Sequence, residues 1–449
     1  MILQKLLRLK LIQLVKTKLI FFLPFFLISC FGPVKELKYQ IEDSFEDSDS
    51  YINNPNPINN DLKNSFIFSK ISSGSFPDST KINLKLLNKN DLIIYASAIG
   101  NVFALNLKKN DFIWTYSHNK EITSGLSSNK DLIFFVDYDG YLIALSFKGN
   151  LEWKTYVGEV FSAPLAFDEY IIVKNSSNNF ILLDLIDGSI KWNYQVPKSP
   201  LPTRSWGGLV QSGGIIYSGI GSGKVLAINS KNGLFIWETT YSPPKGVSEI
   251  ERSNDTTSDV VVDEFALYVV SSNGNIAALN KLDGSILWKR ALSSFNGLVL
   301  NNDQIYVTHN SGAIYCIDKN SQKVLWRNSD LLGRDVSKGY VFKDFLMVSD
   351  YEGYIHFLSL NNGVINARFK FEDGKHIYPI SLIDDENLFL TSIKGDYYWV
   401  ESKLNNYNKP PLNINNNEKI NILLEEDDIN ENKTKEDNED LLDKLIFWD

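Results

Sequence analysis

From residue 83 to residue 403 the chain alternates short apolar runs with polar turns at a nearly constant spacing. The stretches "LIDGSIKWNY" (185–194), "SKNGLFIWET" (230–239) and "KLDGSILWKR" (281–290) share one shape. Each has a turn containing glycine, an apolar strand start, and a tryptophan four residues after the glycine. The series runs Trp114, Trp153, Trp192, Trp237, Trp288 and Trp326, and Ala367 takes the equivalent place in "NNGVINARF". Successive intervals are 39, 39, 45, 51, 38 and 41 residues. A second landmark, a turn followed by an apolar run as in "YDGYLIALS" or "SNGNIAALN", recurs eight times, beginning near residues 99, 138, 177, 221, 272, 310, 351 and 394.

Each unit reads as four short strands; in the fifth they fall near 265–271, 275–281, 285–291 and 296–300. Asp-Gly and Asn-Gly at the joints supply the positive φ that tight hairpins need. A period near 40 with four strands per unit predicts an all-β fold, an eight-bladed β-propeller of four-stranded antiparallel blades over 65–404. A lone four-stranded sheet cannot bury both faces, whereas sheets stacked around a ring can. The tryptophans are then structural, each projecting into the gap between blades. The eighth unit lacks a tryptophan-bearing strand after "DYYWVES", so "SFIFSKISS" (65–73) is predicted to complete it and close the ring.

The two ends of the chain have a different character. Residues 1–30 carry five Lys or Arg and no acid, with a ten-residue apolar stretch from Leu19 to Ile28. That is a secretory signal pattern, too short to span a bilayer comfortably. It ends in "LISC", and residues 1–29 are read as a signal peptide. Residues 30–64 are acidic and rich in Ser, Asn and Pro, read as a disordered tether; residues 405–449 are read as a disordered acidic tail. With its charge of −9 concentrated in these ends, the chain lacks the basic footprint of a nucleic-acid binder.

Candidate chemistry is sparse. Cys30 and Cys316 are the two cysteines, and Cys316 sits in a strand-like run as an inert buried thiol. His118, His309, His356 and His376 show no metal-ligand spacing, and no metal site is expected. "GIGSGK" (219–224) lacks the spacing of a phosphate loop and reads as a hairpin turn. Two consecutive units are over-long, and both insertions follow the tryptophan-bearing strand: "PKSPLPTRSWGGLVQSGG" (197–214) and "YSPPKGVSEIERSNDTTSD" (241–259). They are expected side by side on one rim. Long loops on a rigid scaffold are where binding concentrates. The first offers Leu201, Arg204 and Trp206, and the second offers Glu249, Glu251, Arg252 and Asp255.

The repeats resemble the pyrroloquinoline-quinone (PQQ)-type propeller repeats. Within that group the chain is similar to the BamB family, lipoproteins of the outer-membrane barrel-assembly machine. The stretches that carry the likeness are "GVSEIERSNDTTSDVVV" (246–262), "NGNIAALNKLDGSILWKR" (273–290), "VLWRNSDLLGR" (324–334) and "VSDYEGYIHFLSL" (348–360). "LISC" looks like a lipobox, which implies acylation of Cys30, including a palmitate-type chain, and attachment to the periplasmic face of the outer membrane. Phe31 in place of Asp agrees with outer-membrane sorting. The resemblance implies a non-catalytic scaffold with no cofactor. Its implied partners are the POTRA domains of BamA, other subunits of that machine, and unfolded outer-membrane proteins. Leu201 and Arg204 match positions of the family's contact loop, and Thr203 stands where Leu is common. The alternatives are a PQQ-dependent quinoprotein dehydrogenase and an envelope propeller that binds glycan or protein. The vicinal cysteine pair common in such dehydrogenases is absent from the sequence.

Overall fold

A computed structural model describes residues 55–59, 61–78, 86–89, 91–97, 99–196, 207–244, 254–256, 258–370, 377–382, 386–392 and 395–404. The chain divides into a large unit, 1–63 with 68–402, and a small one, 64–67 with 403–449. The large unit carries the propeller. Seven four-stranded sheets follow one another along the chain, over 87–117, 127–156, 165–195, 209–240, 261–291, 298–328 and 340–370. The eighth consists of Ile377–Leu382, Asn387–Ser392 and Asp396–Leu404, with Phe66–Ser75 hydrogen-bonded to the last of these. The N-terminal strand therefore completes the last blade, as its unassigned position in the sequence predicts. First strands of neighbouring blades meet around the centre of the ring.

Burial explains why the strands look as they do. The two middle strands of a blade are covered on both faces by neighbouring blades, so Leu132–Val136 and Tyr141–Ser146 are nearly continuously apolar. The fourth strand is outermost, and Leu151–Tyr156 alternates exposed and covered positions. The tryptophan strand is this fourth strand, not the third. The run near 296–300, read above as the fourth strand of unit five, is instead Leu298–Asn301, the first strand of the sixth blade. A connection of only a few residues joins the two, and strand count alone does not say on which side of it a blade ends.

Each tryptophan works across a blade boundary. Trp153 Nε1 donates to the Leu185 carbonyl at 2.9 Å, Trp237 to Lys281 at 3.2 Å, and Trp326 to Leu360 at 2.8 Å, all in the following blade. There the indole meets the turn glycine: Gly188, Gly284 and Gly363 have φ of 68°, 72° and 71°, and a Cβ on any of them would overlap the preceding blade's indole. The residue two after the tryptophan ties the turn down. Thr155 Oγ1 donates to Gly188 O, Thr239 Oγ1 to Gly284 O (2.7 Å each), and Asn328 Nδ2 to Gly363 O (3.0 Å).

Volume is balanced within each blade. The cross-strand partner of the tryptophan is Ala104, Ala144, Ala227, Ala278 or Cys316, with Leu182 opposite Trp192. In the seventh blade the pair is inverted, Phe357 facing Ala367. Phe68 from the closing strand adds its ring, 5.2 Å from both Phe357 and Phe369. The missing indole is thus replaced by two phenylalanines. On the other side of the eighth blade, Phe76 stacks on Tyr95 of the first blade at 3.9 Å, beside Tyr397 and Phe389. Cys316 is fully buried, and burial pushes its thiol up to about 12.

Candidate partner-binding rim

The topology gives the ring two rims. The connection from the fourth strand of one blade to the first of the next emerges on the same rim as the hairpin between strands two and three. The other two hairpins emerge opposite. Both over-long connections are of the first kind, one joining Ile190–Gln195 to Leu209–Ser212, the other Phe235–Thr240 to Val261–Val262. They share one rim, called here the loop rim.

Leu201, Arg204, Trp206, Glu249, Glu251 and Arg252 lie outside the described residues, as do Cys30 and His376. The bases of the two loops are described, and they are joined. Gly208 N donates to Asp259 Oδ1 at 2.9 Å, linking the end of the first loop to the end of the second. The other Asp259 oxygen lies 3.8 Å from Lys338 Nζ, two blades further on. Beneath them the Lys174 ammonium, 3% exposed, donates to Gly207 O at 2.9 Å and Gly219 O at 2.8 Å. Burial lowers its pKa to about 8, against the opposing pull of Asp259 and Asp255. Sequence reasoning missed Lys174. Its signal is a lysine ending the otherwise apolar strand "YIIVK".

The base of the second loop is knitted to the end of the fourth blade and to the fifth. Asn254 Nδ2 donates to the Ser242 carbonyl and hydroxyl at 2.6 and 2.9 Å, and Thr256 Oγ1 lies 2.8 Å from Tyr241 Oη. Asp255 is buried. Its Oδ1 accepts Ser222 N at 3.1 Å, and its carbonyl accepts Ser272 N at 2.9 Å. The structure therefore makes Asp255 a brace under the loop, where the sequence reading has it facing a partner. The turn 219–224 that it braces is a hairpin, with Ser222 and Gly223 at φ 63° and 64°.

The histidines do not converge. His118 pairs with Asp137 at 2.8 Å, His309 lies beside Ser311 at 2.8 Å, and His356 contacts Asp350 at 2.9 Å, each in a different blade. Among the described residues no three His, Cys, Asp or Glu side chains are placed to hold a metal ion.

The model of the outer membrane protein assembly factor BamB family matches residues 90–328. The chain belongs to this family. A relative named as that assembly factor in Burkholderia pseudomallei is 28% identical over 310 residues, which cover 69% of this chain and 81% of the relative. The crystal structure of BamB from Moraxella catarrhalis superposes with a TM-score of 0.67 at 20% identity, covering 75% of this chain and all of that one. A quinohemoprotein alcohol dehydrogenase from Comamonas testosteroni superposes at 0.61 with 10% identity, over 74% of this chain and 76% of its own. Both structural likenesses speak for the fold; membership rests on the sequence match, which spans both loop-bearing blades.

Proposed function

We propose that this chain is a non-catalytic outer-membrane assembly factor that grips the POTRA domains of BamA with its loop rim. The observation that carries the reading is the platform beneath the loops. The Gly208–Asp259 bond joins the bases of two insertions from consecutive blades, with Lys174 holding Gly207 and Asp255 braced against Ser222 and Ser272, which favours a composite protein-binding surface over two independent loops. On this reading Leu201 and Trp206 are apolar anchors, and Arg204, Glu249, Glu251 and Arg252 supply charge complementarity. Asp255 positions the second loop. Acylated Cys30 holds the propeller at the periplasmic face of the outer membrane, and unfolded barrel strands pair with exposed blade edges.

The test is purification of the intact chain from gently solubilised membranes, with mass spectrometry of what accompanies it. A POTRA-containing barrel subunit is expected, reduced at least tenfold by Arg204→Glu with thermal unfolding unchanged. Undiminished recovery with Arg204→Glu removes the loop assignment. A chain that purifies alone with a stoichiometric quinone replaces the scaffold with the dehydrogenase reading.

A further inference from the structure

Residues 55–62, "PNPINNDL", belong by composition to the tether, yet the structure seats the described ones against the sixth and seventh blades. Asn56 N donates to Leu332 O at 3.0 Å, and Asn56 Nδ2 to Ser329 O at 2.8 Å. Arg334 Nη1 donates to Asn56 O at 3.0 Å, and Arg368 Nη1 to Asn59 O at 2.6 Å. Leu62 packs on the core cluster containing Leu331 and Ile365, and a cleft of about 410 Å³ lies between the segment and the blades. Asn56 precedes Pro57, which disfavours helix and holds the backbone extended.

The receiving groove is built for main-chain carbonyls. The Arg334 side chain is 3% exposed. Its Nε is taken by Asp350 (2.8 Å) and its Nη2 by Glu352, while Nη1 points to the strap. A buried guanidinium needs acceptors for its donors, and the Asn56 carbonyl supplies one. Arg368 is held likewise: its Nε donates to His356 Nδ1 at 3.0 Å, and His356 Nε2 faces Asp350 at 2.9 Å. Accepting from Arg368 on Nδ1 requires a neutral imidazole, the form that burial favours here by lowering the His356 pKa.

The strap changes where the chain enters the ring. The strand Phe66–Ser75 ends at the loop rim, where Phe76 N donates to Gly395 O and Ser75 Oγ to Asp396 Oδ1. At about 3.3 Å per residue, Phe68 lies about 23 Å back along that strand, toward the opposite rim. A chain entering directly at this strand would arrive from the opposite rim. Asn56, however, is bound to 329–334, the connection from the fourth strand of the sixth blade to the first of the seventh, which lies on the loop rim.

We propose that the groove formed by Arg334, Arg368, Leu331 and Ile365 is an extended-peptide site filled by the chain's own residues 55–62, and that this strap makes the N-terminal tether depart from the loop rim. If residue 30 carries the anchor, the 25 Cα-to-Cα steps from it to residue 55 reach at most about 90 Å, and they pull on the face that bears the two long loops.

The experiment places pairs of spin labels on the full chain, with Cys30→Ala so that only introduced thiols react, Cys316 being buried. One label sits at Pro57→Cys; the second sits at Asp335→Cys on the loop rim or Ser321→Cys on the opposite rim. A narrow distance distribution is expected, shorter to 335 than to 321. Arg368→Gln and, separately, Leu62→Asp should broaden both distributions and speed hydrogen exchange in 55–62 at least tenfold, with exchange in 345–359 unchanged. A distance shorter to 321, or exchange in wild-type 55–62 as fast as in an unstructured peptide, overturns the proposal. So does docking that survives both substitutions.

Discussion

Replacing Lys174 with methionine isolates the platform under the two loops. The lysine is wholly buried with its pKa lowered to about 8, whereas an unfolded lysine titrates near 10.5. The folded state therefore releases the proton first. Between those values the unfolded chain binds more protons, so stability rises with pH. From pH 7 to pH 9 the linkage integral gives a gain of about 1 kcal/mol, approaching about 3 kcal/mol when both states are deprotonated. Cys316 acts in the opposite sense. Burial raises its pKa, so its contribution falls as pH rises above 9, the value of an exposed thiol here. The wild-type minus Lys174→Met difference cancels that term. The assay is urea unfolding of both chains at pH 7, 8 and 9, followed by tryptophan fluorescence. The difference should shift toward wild type by about 1 kcal/mol across the series. Parallel curves would refute the placement of a buried ammonium beneath Gly207 and Gly219.

Gly363→Ala should destabilise the ring by about 2–4 kcal/mol, from the left-handed backbone it forces on alanine and the collision with Trp326. Gln322→Gly, at the corresponding turn of the sixth blade where φ is 63°, should be neutral or stabilising in the same denaturation assay. Deleting 65–73 removes the closing strand and the Phe68 ring that fills the seventh blade. The melting temperature should fall sharply, and an unchanged melt would contradict closure through this strand.

The blade count, the closing strand and the shared rim of the two insertions are legible in the sequence because each follows from the period. The partner of each turn glycine is not. Gly188 and Trp192 read as one hairpin, yet Gly188 packs on Trp153 in the preceding blade. A single repeat carries no sign of which neighbour it will meet. Asp255 is misread for a related reason. An acid in a polar loop looks solvent-facing, and only the fold brings Ser222 and Ser272 to it. Lys174 hides because its partners are main-chain carbonyls, which exist at every position. The strap hides because "PNPINNDL" is tether-like in composition and its recognising arginine, Arg334, stands 278 residues from Asn56.

Departures from the repeat separate by whether the molecule compensates them. Ala367 breaks the tryptophan series, and Phe357 with Phe68 restores the lost volume. Gln322 replaces a turn glycine and keeps its backbone conformation. Such changes preserve the contacts between blades and need no further explanation. The insertions at 197–214 and 241–259 are different, because they lengthen the intervals to 45 and 51 residues against the common 39. Their bases draw on buried polar groups. Lys174 carries a desolvated charge, Asn254 is buried under a loop, and Asp259 spans to Gly208 and Lys338. A costly buried lysine at the base of the first loop, beside the Asp259 that ties that base to the second, underlies the proposal that a partner binds at this rim.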